Sequence, residues 1–174
     1  MHVIDHVRWS RRRRMSVLSE SGPLDAAQRS RGGHSSVELA FRVLGALSLL
    51  AVGAVHLQQY FTLYSSIPTI GMLFVLNFVG ATLIGLGLLA QVERLFGRLS
   101  RAIPAGLAAG GIGLAATAFV FLLISERTPL FGFMEPGYDP AAILASRVAE
   151  AATVLFLGAF LVARFAHRAP VGRR

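Results

Sequence analysis

PTIGMLFVLNFVGATLIGLGLLAQV, residues 68–92, decides the fold. No charged side chain interrupts it. At ~1.5 Å rise per residue, a helix of this length reaches about 37 Å, enough to cross the ~30 Å of hydrocarbon in a bilayer. A lone strand would leave its backbone N–H and C=O groups unpaired in lipid, whereas a helix pairs them within the segment. Pro68 suits the first turn, where a missing N–H costs least.

Three further runs have the same character. Residues 38–59 precede it, and 103–125 and 140–163 follow it. Pro104 and Pro140 again fall at first-turn positions. Connections at 60–67, 93–102 and 126–139 are short, which makes successive helices antiparallel neighbours. The expected fold is all-α: a polytopic membrane protein, an antiparallel bundle of four transmembrane helices over residues 37–163. Composition agrees, since 54% of residues are hydrophobic and only 15% are charged, against roughly a quarter charged in soluble domains.

The flanks read differently. Residues 1–36 are polar and turn-rich, with Arg11, Arg12, Arg13 and Arg14 in a row. They are expected to form a disordered tail, with Met15 as an alternative start. No apolar stretch follows the Arg run closely, so a signal peptide is not expected. Residues 164–174 form a second basic tail. Fourteen of the 17 Arg residues lie in the two tails and the 93–102 connection. Across the bundle, Arg127 stands against Glu126, Glu135 and Asp139. The positive-inside rule then places both termini in the cytoplasm and the protein in the cell membrane. The net charge of +8 is read as topogenic and lipid-facing. Nucleic-acid binding is not expected, because the Arg run has no folded platform.

Several chemistries are excluded. There is no Cys, which removes disulfides, thiol relays and iron–sulfur ligation. Among the five His residues only His56 lies in an apolar run, so a bis-His haem lacks its second ligand, and a metal held by His56 and Glu150 is short of ligands. No cofactor or metal is expected. No P-loop, G-x-S-x-G or H-E-x-x-H motif occurs.

Polar residues inside the runs carry the functional interest. Glu150 lies ten residues past Pro140 and Asn77 nine past Pro68, so both sit roughly 15 Å deep. His56, Thr117 and Arg147 fall in the same outer half. Arg147 and Glu150, at i,i+3, are expected to meet on one face and so reduce the ~2.5–3.5 kcal/mol that each would cost alone at the helix centre. A proton, ion or polar-ligand site using Glu150 with His56 or Asn77 is the alternative. Close packing is expected at Gly106-x-x-x-Gly110 and along Ala145, Ala149 and Ala152, a stripe placed opposite Arg147 and Glu150 that leaves Leu144, Val148 and Leu155 for lipid. Aromatic residues in the 60–67 and 126–139 connections are expected to form an interfacial belt.

Three stretches together carry a resemblance: Gly53-Ala-Val-His56-Leu-Gln-Gln-Tyr60, Ile67-Pro-Thr-Ile-Gly71-Met-Leu-Phe74-Val-Leu-Asn77 and Leu130-Phe-Gly-Phe133-Met-Glu135. They resemble a group of four-helix membrane proteins of actinobacteria that has no assigned activity. In that group a His ends the first helix, I-P-T-I-G opens the second, and F-G-F-x-E precedes a fourth helix with a Glu that Glu150 matches. The resemblance covers about residues 40–163 and implies fold and location alone. Residues 136–140 and Arg147 depart from the pattern. By architecture only, the chain also resembles the DoxX-like membrane proteins.

These readings leave three functions open. The first is a non-enzymatic accessory or assembly subunit of a membrane complex, its partner a second copy or another membrane protein. The second is a small oligomeric transporter or proton-coupled permease using Glu150. The third is an outer-leaflet lipid- or quinone-modifying enzyme.

Overall fold

The computed structural model describes residues 23–91, 93 and 102–166, with side chains from Ser36 onward. The Arg11–Arg14 run, most of the second connection and residues 167–174 lie outside the described residues. Among the described residues four α-helices stand out: α1 (Pro23–Gln59), α2 (Pro68–Leu89), α3 (Ile103–Ser125) and α4 (Pro140–Ala166). All four are long and apolar enough to cross a membrane. All four spans lie in one compact unit that begins at His34.

Helix boundaries differ from the expected ones for local reasons. α1 begins at Pro23, within the stretch expected to be irregular, and its apolar part starts at Ser36. Extending a helix already nucleated by a membrane span adds a hydrogen bond for each residue fixed. At its other end α1 continues as a π-helical turn, Tyr60–Tyr64, so the first span outruns residue 59. The π turn widens the helix and re-aims Tyr64 inward, where it is buried. α2 stops at Leu89 because Gln91 takes a left-handed conformation, φ 53°, which ends a helix. α4 runs on to Ala166.

Side-chain contacts fix the alternating direction of the spans. Arg42 near the start of α1 meets Leu88 and Glu93 at the end of α2. Gly80 and Gly110 of α2 and α3 face Leu114 and Ile84 in antiparallel register. Glu126 after α3 pairs with Arg147 in α4, and Arg164 near the end of α4 pairs with Glu38 in α1. The end holding Glu38, Glu93 and Arg164 is here the base; the end holding Tyr64 and residues 126–139 is the mouth.

The core is densest toward the base. Ala46, Leu88, Ala108, Leu157 and Phe160 are fully enclosed and pack on one another. Gly45, Gly85 and Gly111 make room for Leu157 and Leu50: a Cβ at Gly111 would lie 2.8 Å from Leu157. The expected Gly106–Gly110 contact surface is not where the helices approach. Gly106 has nothing within 4 Å, and Gly110 only an ordinary contact with Ile84. Register within α3 decides this, since Gly111 and Ala108 share the inward face and Gly106 the outward one. α4 likewise buries one face, Ser146, Ala149, Glu150, Thr153, Leu157 and Phe160. Of the expected alanine stripe, Ala149 is buried, Ala152 half-buried and Ala145 exposed. The stripe flanks the core instead of opposing Glu150. Leu144, Val148 and Leu155 are exposed as expected.

The base is clamped by charge. Arg42 is buried, donates from Nε to the Leu88 carbonyl at 2.7 Å, and grips Glu93 with both terminal nitrogens, one at 2.9 Å. A bidentate pair of this kind is among the strong hydrogen-bonded contacts. It also satisfies a carbonyl of the last turn of α2, which has no partner within the helix. Partial burial pushes the Glu93 carboxyl up, but hydrogen bonds from Arg42 and the charges of Arg42 and Arg164 outweigh it and hold the group below the ordinary carboxylate range.

Two outcomes follow. A Cβ at Gly71 would stand 2.7 Å from the backbone oxygen of Tyr64, where α2 starts beside the π turn, whereas Gly113 faces open space. Gly71→Ala is expected to cost about 1–3 kcal/mol, as overpacking against backbone does, and Gly113→Ala to cost nothing, in denaturation of the purified protein. The lowered Glu93 carboxyl stabilises the fold above the pKa it has when unfolded, and this contribution is lost as pH falls through its folded value. The melting temperature is therefore expected to drop on acidification below about pH 4.5, and Glu93→Gln to make that drop shallower.

Candidate functional site

The outer half of the bundle is not filled. A cavity of about 220 Å³ lies between the spans toward the mouth. Polar residues line it from every helix, among them His56 of α1, Asn77 of α2, Thr117 of α3, and Ser146 and Glu150 of α4, with Gln59, Tyr64, Ser125 and Glu135 nearer the mouth. Four of the five expected polar residues are thus brought together, each from a different helix. The fifth is not. Arg147 does not line the cavity, and its guanidinium bonds to both carboxylate oxygens of Glu126. The expected Arg147–Glu150 pair is therefore replaced by a pair across α3 and α4. Arg has the reach to leave its own helix face for a carboxylate nearer the headgroups, and Glu126, just past the last residue of α3, offers one.

Glu150 is left with partial satisfaction. Its side chain is 1% exposed. Oε1 accepts the Ser146 hydroxyl at 2.8 Å, one helical turn earlier. Oε2 has no hydrogen-bond partner, and neither has Oδ1 of the buried Asn77. His56 Nε2 stands 3.9 Å from Glu150 Oε1, beyond hydrogen-bond range. The other ring nitrogen, Nδ1, is 2.9 Å from the Val52 carbonyl. A carbonyl only accepts, so the proton sits on Nδ1, and Nε2 is the nitrogen turned toward the carboxylate.

The walls are aromatic. The His56 ring lies 5.0 Å from Phe74, Phe74 lies 4.6 Å from Tyr64, and Phe133 meets Tyr64 edge-on at 5.6 Å. Offset and edge-on pairs at these distances are the favoured arrangements. Leu76 and Thr117 also line the cavity, and both are exposed. The cavity therefore reaches the lipid-facing surface at α2 and α3.

The 126–139 connection covers the mouth. Leu130 and Phe133 exchange backbone hydrogen bonds of 2.7 and 3.0 Å around Phe131 and Gly132, which have φ of 52° and 80°. This is the tight turn that needs two left-handed residues. It exposes Phe131 and turns Phe133 inward to the cavity. Glu135 is buried and anchors the strap. It accepts the Tyr64 hydroxyl and the backbone N–H groups of Gly137 and Tyr138, at 2.9 and 3.1 Å, while its own N–H donates to the Ser125 carbonyl at 2.8 Å. Asp139 caps α4 through the Ala142 N–H at 3.0 Å and accepts Gln59 Nε2 at 2.9 Å. Those two hydrogen bonds hold its carboxyl below the ordinary range. Of the aromatic residues expected to form a belt, Phe61, Phe131 and Tyr138 are exposed, while Tyr64 and Phe133 turn toward the cavity.

Sequence reasoning did not single out Ser146 or Arg42, and it quoted Gln59 and Glu135 without giving either a place in the site. Ser146 was findable at i−4 from Glu150, where a hydroxyl reaches a carboxylate on the same face. Gln59 and Glu135 carried no such signal, because their partners lie 80 and 71 residues away.

This arrangement defines an integral membrane protein with a polar-floored cavity within its helix bundle. Comparisons with models of known families, with curated proteins and with solved structures find no match to the chain. Geometry alone therefore carries the functional reading.

Hydrogen bonds to charged groups contribute about 1.5–3 kcal/mol each. Glu135→Ala removes the anchor of the strap, and amide exchange across residues 126–139 is expected to accelerate at least about tenfold, with exchange in the base half of α1 and α4 unchanged.

Proposed function

We propose that this chain is a small membrane carrier or permease that binds an amphipathic molecule in the outer half of the bilayer. The observation that carries this reading is the partnerless Oε2 of Glu150, a buried residue that lines the cavity together with His56 and Asn77. A carboxylate kept only for helix packing would be expected to have its oxygens answered by protein, because an unpaired one is costly in hydrocarbon. The opening beside Leu76 and Thr117 supports entry from the bilayer, while the Glu135 strap covers the mouth. The cell membrane with both termini cytoplasmic is the proposed placement, supported by the 14 of 17 Arg residues on that side.

The accessory-subunit reading keeps one supporting observation. Gly106 and Gly113 of α3 face outward with nothing within 4 Å, a smooth surface of the kind membrane helices use to pair. The enzyme reading has less support, since the proposed acid–base couple, His56 and Glu150, stands 3.9 Å apart, outside direct proton-transfer reach.

The test is ligand retention. Protein extracted in mild detergent and analysed by native mass spectrometry is expected to hold a small molecule. Ala118→Trp, which places a large ring in the cavity wall, is expected to lower occupancy at least about tenfold while the protein stays folded. Equal occupancy in that variant, or a wild type free of any small molecule with no flux in proteoliposomes, overturns the reading.

A further inference from the structure

Next to the Asn77 amide and the Thr117 hydroxyl, the cavity lining holds a cluster of acceptors around Glu150. Glu150 Oε2 and Asn77 Oδ1 are buried and lack partners. His56 gives its Nδ1 proton to Val52, so the lone pair of neutral Nε2 faces the same space, 3.9 Å from Glu150 Oε1. Two acceptors so placed repel unless a donor stands between them. The Ser146 hydroxyl is already given to Oε1. Among the described residues no Arg lines the cavity, and Lys is absent from the chain. Arg147, the nearest in sequence, has its guanidinium on Glu126. The lining carries two carboxylates, Glu150 and Glu135, and the second is taken up by Tyr64 and two backbone N–H groups.

We infer that the cavity takes a lipophilic ammonium ion, its nitrogen held between Glu150 and His56 Nε2 and its apolar body against Phe74 and Tyr64. This rests on the reading of the cavity as a ligand site. An ammonium nitrogen about 2.8 Å from each acceptor sits at the apex of a triangle on the 3.9 Å base between His56 and Glu150. The third N–H of a primary ammonium is left for Oε2 or for Asn77 Oδ1, both without partners. The faces of Phe74 and Tyr64 add the attraction of a ring quadrupole for a cation. Size limits the body. About 150 Å³ suffices for benzene, so a cavity of about 220 Å³ admits about nine heavy atoms by the same ratio. Entry beside Leu76 and Thr117 requires a molecule that partitions into lipid, which excludes small hydrophilic amines and bare metal cations.

The experiment compares three probes of nearly one shape: 2-phenylethylamine, 2-phenylethanol and phenylacetate. Each is titrated against the full chain in lipid nanodiscs, with empty nanodiscs subtracted. The amine is expected to bind at least about tenfold more tightly than the alcohol, and phenylacetate not to bind. Glu150→Gln is expected to bring the amine-to-alcohol ratio close to one, and Asn77→Leu to lower it in part. The wild-type comparison needs no variant to fold. Amine and alcohol binding equally overturns the ammonium inference while the cavity reading stands. Phenylacetate binding best overturns the acceptor assignment. No probe binding, with Ala118→Trp indistinguishable from wild type, removes the cavity reading as well.

Discussion

Hydrocarbon cannot answer a polar group, and the structure is organised by that constraint. Each charged residue within the described spans must find a partner, reach the headgroups or face a polar space. At the base Arg42 finds Glu93 and the Leu88 carbonyl, and Arg164 finds Glu38. At the mouth Arg147 finds Glu126, and Glu135 is enclosed by Tyr64 and the turn that follows it. These contacts tie both ends of the bundle. They leave the middle of its outer half to Glu150, His56 and Asn77, where partners run short.

The same constraint explains what the sequence made legible. Four apolar runs, their helical state, the common depth of Glu150 and Asn77 and the place of His56 in the same outer half follow from counting residues against the thickness of lipid. Alternating direction follows from short connections, and the pairs at both ends agree with it. None of these needs knowledge of which way a side chain turns. Arg147 and Glu150 did need it. Spacing at i,i+3 permits contact on one face, but a carboxylate on the next element, Glu126, satisfies the same guanidinium at the polar boundary. Once Arg147 turns away, the buried sector of α4 shifts toward Ala149, and the alanine stripe becomes a flank. The glycines of α3 pose a similar problem. The motif at Gly106 and Gly110 was visible, but the inward face is set by Gly111 and Ala108 through packing against Leu157 and Ile84. The strap was the least legible part, since Tyr64 reaches Glu135 only because a π-helical turn re-aims it.

The cavity itself is the remaining argument. Empty space in a packed interior costs about 24 cal/mol per Å³, so about 220 Å³ left vacant corresponds to about 5 kcal/mol. That is comparable to the whole stability of many domains. A larger side chain at Ala118 or Ala142, both in the cavity wall, would reduce that cost by simple substitution. The chain instead surrounds the space with aromatic rings that fix its shape and sets a partnerless carboxylate at its floor. Lipid tails could fill the volume but would leave Glu150 Oε2 and Asn77 Oδ1 unanswered, and the desolvation cost of both would remain. An occupant with an apolar body and a donating head removes the two costs together. The polar floor and the apolar walls therefore belong to one requirement.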